Sequence, residues 1–129
     1  VAKFHVNDDI NRASCVKLQK AMEKAFKSKG DVQAVALVIN SRGGSPVYSD
    51  LMAQKVVSYA KSKNVPLYTF AESIAASGGY WLLAVGNPGK VYANNSSIVG
   101  SVGVVAQAAA TKKLLDHWHF DRIQITTGE

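Results

Sequence analysis

Two short apolar runs, residues 32–39 and 67–71, each pass into a turn and then into a helix-patterned segment. That repeated order does most to narrow the fold. A valine-rich run of this length, bounded by turn residues, reads as a buried strand. The first run enters Asn40-Ser41-Arg42-Gly43-Gly44-Ser45-Pro46, a loop rich in turn formers. The second, introduced by Pro66, leads through Glu72-Ser73-Ile74 to Ala75-Ala76-Ser77-Gly78-Gly79-Tyr80-Trp81. Parallel strands cannot be joined by tight hairpins and need crossover helices. Repeated strand–loop–helix units therefore predict an α/β domain with a mostly parallel sheet and flanking helices.

The remaining segments fit that scheme. Residues 1–6 read as a short edge strand, broken by Asn7-Asp8-Asp9. Residues 11–28 carry Cys15, Leu18, Met22, Ala25 and Phe26 at helical spacing, with lysines on the other face and Gly30 as the stop. A second helix runs over 49–62, with Ser49 as its N-cap, Asp50 favouring its dipole, and Met52, Val56 and Tyr59 buried. Residues 80–85 have the composition of a buried helix, and Gly86-Asn87-Pro88-Gly89 ends it. Short strands are expected at 90–93 and within 98–105, with a turn at Asn94-Asn95, a helix at 111–118 and a strand at 122–126.

A chain of 129 residues is expected to form a single domain, 1–129, with a core of its own. No stretch is long and apolar enough to span a bilayer. The single cysteine, Cys15, excludes an internal disulfide and lies on an apolar helix stripe, so burial is its expected role. Much of the net charge of +6 comes from Lys17, Lys20, Lys24, Lys27 and Lys29. A charge run of this kind is read as a solvated helix face, with attraction to an acidic membrane surface as the sharper alternative. No aromatic residues interleave with these lysines, so nucleic acid is not an expected partner.

Ser77 is the leading candidate for chemistry. At the first turn of a buried helix it has free backbone N–H groups nearby and the positive end of the helix dipole. Both suit a nucleophile whose attack creates an oxyanion. The plainer reading, a small-residue helix start packed on a strand, stays open at this point. Gly43-Gly44 and Gly78-Gly79 follow separate strands, and ligands of parallel sheets gather beyond the carboxyl ends of strands. Each loop can offer one N–H to a developing oxyanion. Neither matches a phosphate-binding pattern.

A serine nucleophile needs a base. His117 and His119, beside Asp116 and Asp121, can in principle complete a triad, although surface histidines are the plainer reading. His-x-His lacks a third ligand at metal-site spacing, and no metal or cofactor is expected. His5 is isolated. A lysine whose pKa is lowered by burial is the other option. Lys90 is nearest in sequence, but its place after Pro-Gly predicts a solvated side chain.

Three motifs in series now matter: Val38-Ile39-Asn40-Ser41-Arg42-Gly43-Gly44-Ser45, Ala75-Ala76-Ser77-Gly78-Gly79-Tyr80, and Gly100-Ser101-Val102-Gly103-Val104-Val105. Together they resemble the signal peptide peptidase A family of membrane-associated serine proteases, most closely its SohB-type branch. The resemblance covers residues 34–129. It implies a Clp-protease/crotonase fold and a Ser/Lys dyad. Ser77 matches the nucleophile, Gly78 and the Gly43-Gly44 pair match the oxyanion hole, and Ser101 matches a serine that positions the lysine. The lysine itself would follow Gly128-Glu129, so the chain is read as a fragment ending just before its base, and inactive alone. Arg42 departs from the family's usual proline and leaves the loop's φ less restrained.

The resemblance further implies signal peptides or other small membrane-associated or unfolded peptides as substrates, and a homo-oligomer. It places the full-length protein at a membrane, on an extracytoplasmic face, through segments outside this chain. The run 102–110, small and apolar apart from Gln107, is expected to be partly buried between subunits, with an interior strand as the equal alternative. Two other classes stay open. A crotonase-type acyl-CoA enzyme would share the fold but need a carboxylate, for which Glu72 is the only acid nearby in sequence. A non-catalytic relative would keep the fold as a scaffold.

Overall fold

The computed structural model describes residues 1–27 and 31–103. Gly30, Lys29, the histidine pair with its aspartates, and the segments expected at 104–110, 111–118 and 122–126 lie outside the described residues. Strand β1 (Ala2–Asn7) leads to helix α1 (Arg12–Lys27), then β2 (Val35–Ser41), α2 (Pro46–Ser62), β3 (Leu67–Ala76), α3 (Gly78–Ala84), β4 (Val91–Ala93) and β5 (Ile98–Gly100).

Among the described residues all pairings in the sheet are parallel, in the order β1-β2-β3-β4 with β5 also on β3, and β1 stands at the edge. The α/β class is as expected, and so is the place of β1 among these strands. Strand β3 is the long central member. It takes β4 at Thr69–Ala71 and β5 at Ile74–Ala76. This explains why it runs to Ala76 instead of stopping at residue 71. Glu72 and Ser73 are polar and exposed, but two successive neighbours keep the strand paired around them.

Alternation sorts the strands into two faces. Ala2, Phe4 and Val6, then Val35, Leu37 and Ile39, then Leu67 and Ala71 are buried. They share a core with Cys15, Leu18 and Met22 of α1, Met52, Val56 and Tyr59 of α2, and Leu82 and Leu83 of α3. The other face bears Tyr68, Phe70 and Tyr92 in a stacked row, with centroid separations of 5.2 Å between Phe70 and Tyr92 and 6.5 Å between Tyr68 and Phe70.

Asn11 caps α1: its Oδ1 accepts from the N–H groups of Ala13 and Ser14 at 2.8 and 3.1 Å. Ser14 Oγ in return accepts from the Asn11 N–H at 2.9 Å. This reciprocal box satisfies donors that a helix start leaves free. Lys17, Lys20, Lys24 and Lys27 are solvated, as read from the pattern. Phe26 differs from expectation. It is 52% exposed and packs by its edge on Tyr59, 5.3 Å between centroids, with Lys63 Nζ 4.4 Å from its ring centre.

Ser49 is not an N-cap. Helix α2 begins a turn earlier, with Ser45 at the cap and Pro46 in its first turn, where proline's fixed φ suits a helix start and its missing N–H costs nothing. Ser49 is fully buried, and its Oγ donates to the Ser45 carbonyl at 2.9 Å. Tyr59 is buried with its hydroxyl unpartnered among the described residues, and burial raises its pKa.

Candidate active site

The carboxyl ends of β2 and β3 meet at one cleft of about 570 Å³. Between Ile39 and Ser41 the β2–β3 register jumps, so that Ile39 pairs with Ala71 but Ser41 with Ala75. The extra β3 residues re-aim the strand end, as bulges do near functional sites. Ser77 follows directly. Its N–H donates to the Gly100 carbonyl at 3.0 Å, continuing the β3–β5 pairing by one residue. Its carbonyl accepts from Trp81 N–H at 3.0 Å in the first turn of α3.

Ser77 thus belongs to the strand on one side and the helix on the other. Its backbone makes the turn at φ 52 and ψ −118. A non-glycine residue held there costs on the order of 1–3 kcal/mol, which the surrounding structure must supply. Such a sharp strand-to-helix turn lifts a serine hydroxyl clear of the backbone. The hydroxyl makes no capping bond to α3. The first-turn N–H groups of α3 have no partner inside the helix, and Gly78 lines the cleft beside Ser77.

The second glycine loop comes against this turn at contact distance. Gly43 has φ 102, and a Cβ there would lie 2.8 Å from both Gly78 N and Ser77 Cβ. Gly44, at φ 148, abuts the backbone of Ile10. Ile10 holds the loop from outside: its N–H donates to Gly43 O and its carbonyl accepts from Ser45 N–H, both at 2.8 Å. In a parallel bridge of this form, the central residue's own N–H points away from the partner strand. The Gly44 N–H therefore faces away from Ile10, and Gly44 lines the cleft. The Gly43 N–H instead donates to Ser41 Oγ at 3.1 Å. Of the three glycines expected at the oxyanion hole, Gly44 and Gly78 line the cleft, and Gly43 packs behind them.

Ser101 also lines the cleft, at φ 54, one residue beyond Gly100. Pro46, Tyr80, Trp81 and Val102 supply apolar wall. Trp81 is 44% exposed on that side, while Leu82 and Leu83 face the core, so the expected buried helix is buried on one face only.

Sequence reasoning missed Ile10, Ser41 and Ser49. For Ser41 a signal existed: it occupies the next core-facing position after Val35, Leu37 and Ile39. Lys90 is half-buried instead of solvated, with Nζ 4.8 Å from the Tyr68 ring centre. Glu72 is exposed. Among the described residues no cluster of His, Cys, Asp and Glu forms a metal group, and no helix is long and apolar enough to cross a membrane.

Comparison with known proteins adds a family. The model of peptidase family S49 matches residues 59–129. The probable protease SohB of Haemophilus influenzae is 29% identical over 121 residues, covering 94% of this chain and 33% of that protein. The Na(+)/H(+) antiporter NhaA of Brucella melitensis is 39% identical over 107 residues, 83% of this chain and 14% of that protein. The chain thus spans a third or less of the length of these curated relatives. Among solved structures, the ClpP protease catalytic domain from Plasmodium falciparum superposes with a TM-score of 0.62 at 19% identity, over 89% of this chain and 59% of that one. This likeness is one of fold.

Proposed function

The chain belongs to peptidase family S49, and from that premise we propose that it forms the catalytic core of a serine endopeptidase with Ser77 as nucleophile. One observation carries the reading. Ser77 is held at positive φ between a strand end and a helix start, with Gly44 and Gly78 on the same cleft. Ser77 Oγ attacks the scissile carbonyl carbon, and the carbonyl π electrons move onto its oxygen. The N–H groups of Gly44 and Gly78 receive that oxyanion. Donors fixed in place before the charge develops need no reorganisation when it does. Collapse of the adduct expels the amine and leaves an acyl-enzyme, which water hydrolyses.

In this proposal the proton of Ser77 goes to a lysine, expected from the resemblance to follow Gly128-Glu129, and the resulting ammonium gives it to the departing amine nitrogen. A neutral lysine requires a lowered pKa, and a desolvated site supplies that. Ser101, beside Ser77 on the neighbouring strand, orients the amine. The cleft's apolar wall of Pro46, Trp81 and Val102 favours peptides that present apolar side chains, as small membrane-derived or unfolded peptides do. Assembly as a homo-oligomer and work at a membrane, on an extracytoplasmic face, belong to the same proposal. The acyl-CoA alternative gains no support, since Glu72 is exposed on β3 and the cleft wall contains no carboxylate among the described residues.

The test is active-site labelling. A fluorophosphonate probe should modify the protein, with its sequence continued naturally past Glu129, at Ser77 alone. Labelling that persists at another serine in Ser77→Ala would overturn the assignment.

A further inference from the structure

We infer that the buried hydroxyl of Ser41 is a positioning device for the oxyanion hole. It ties down the N–H of Gly43 so that the N–H of Gly44 is the one this loop turns to the cleft. The inference rests on the peptidase reading of Ser77 and deepens it by naming a residue that acts through the loop.

Ser41 is 1% exposed and stands at a core-facing position of β2. An apolar side chain there would continue the series of Val35, Leu37 and Ile39. A hydroxyl instead accepts the Gly43 N–H two residues on, at 3.1 Å in a buried setting. A buried N–H without a partner is costly, so this bond selects one arrangement of the Ser41-Arg42-Gly43 turn. Gly43 in turn packs closely on the Ser77 turn: a Cβ there would stand 2.8 Å from both Gly78 N and Ser77 Cβ. The carbonyl of the same Ser41 lies against Gly79, 2.6 Å from where a Cβ would stand. Ser41 thus touches both halves of the hole, the loop through its hydroxyl and the first turn of α3 through its carbonyl.

With Gly43 N–H engaged inward and Ile10 bonded to Gly43 O and Ser45 N, the loop has one way to present Gly44. The middle residue of this turn is Arg42, which is exposed and leaves φ unrestrained where a proline would fix it. The hydroxyl bond supplies restraint that a proline would otherwise give. Ser41 does not touch substrate. Its loss relaxes the donor's position, and a misplaced donor weakens binding of the tetrahedral adduct while leaving ground-state binding in place.

The experiment compares the parent, Ser41→Ala and Ser41→Thr in the protein with its natural sequence continued past Glu129. Peptide hydrolysis and inhibition by a peptide boronate, which forms a tetrahedral adduct, are measured together with amide hydrogen exchange at Gly43. Ser41→Ala should lower kcat about 10- to 100-fold with KM within about twofold, and weaken the boronate by a similar factor. Gly43 exchange should speed up at least about tenfold, as expected when a buried bond opens, and Ser41→Thr should restore each readout. A purely structural role would lower the folded fraction and leave kcat per folded molecule unchanged. That result, or equal Gly43 exchange in parent and Ser41→Ala, overturns the inference while Ser77 labelling still supports the peptidase reading. A parent that is neither active nor labelled at Ser77 overturns the reading itself, and the Gly43 exchange then reports only the bond.

Discussion

Ser77 and Ser101 stand in equivalent positions on parallel neighbours, each one residue past the paired Ala76 and Gly100, and each at positive φ, 52 and 54. The bond from Ser77 N–H to Gly100 O locks the two together. The Ser77 backbone and Ser101 are therefore tied together, and whatever Ser101 orients is oriented relative to Ser77.

Ser101→Ala is accordingly expected to lower kcat by about 10- to 100-fold, in the range of a misplaced general base, and not to abolish turnover. KM should change little. A pH–rate profile reads the cause: with a lysine as the proposed base, the ascending limb, set by loss of that lysine's proton, should move to higher pH when its neutral form loses a partner. An unchanged profile with unchanged kcat would remove Ser101 from the site.

Gly43 has no room for a side chain. Gly43→Ala would place a methyl group 2.8 Å from Gly78 N and Ser77 Cβ at a φ of 102. Overpacking together with left-handed strain should cost about 2–4 kcal/mol, read as a drop in Tm. If Ser77 is the nucleophile, activity should be lost even in the fraction that stays folded, since the displaced atoms are those of the Ser77 turn.

Tyr59 is remote from the cleft and tests the core. Its hydroxyl is buried without a partner among the described residues, and burial holds its pKa above the ordinary 10.0. The folded state thus keeps a proton that the unfolded state releases. This contribution is fully present below pH 10.0 and is lost as pH rises through the folded value. Tyr59→Phe should flatten that alkaline loss and, near neutral pH, be neutral or stabilising by about 1 kcal/mol. Urea titrations at neutral and alkaline pH measure both. A destabilised Tyr59→Phe protein would show that the hydroxyl has a partner.

The outer strands bear on assembly. Ile98 is 65% exposed and Val102 78% exposed, and Tyr92 of β4 is half-exposed. If this surface packs between subunits, Ile98→Glu should shift the protein toward monomers in light scattering while far-UV circular dichroism is retained. A parent that is monomeric at high concentration would contradict the homo-oligomer.

The sheet, its parallel sense and the strand-to-helix crossings were legible because short valine-rich runs and helical spacing are local signals. The place of Ser77 at a strand–helix junction was legible too, from small residues before it and glycines after. What was not legible depends on distance in sequence. The start of α2 at Pro46 was missed because Ser49 looks like a cap, and only tertiary burial shows that it is a core residue. Phe26 fits an apolar stripe, yet contacts with Tyr59 and Lys63 hold it at the surface. The hold on the Gly43-Gly44 loop comes from Ile10, far away in sequence, which bonds to Gly43 and Ser45, and no spacing rule encodes it; the Ser41 hydroxyl is local, and its core-facing position was the one signal available.

The central claim is that Ser77 is the nucleophile of a peptidase. Its most direct measurement is hydrolysis of one unstructured peptide by the parent and by Ser77→Ala, across pH, in the protein with its natural sequence continued past Glu129. Parent activity should rise toward alkaline pH and fall by several orders of magnitude in Ser77→Ala, with the variant's circular dichroism unchanged. Comparable hydrolysis by a folded, contamination-free Ser77→Ala protein would contradict it.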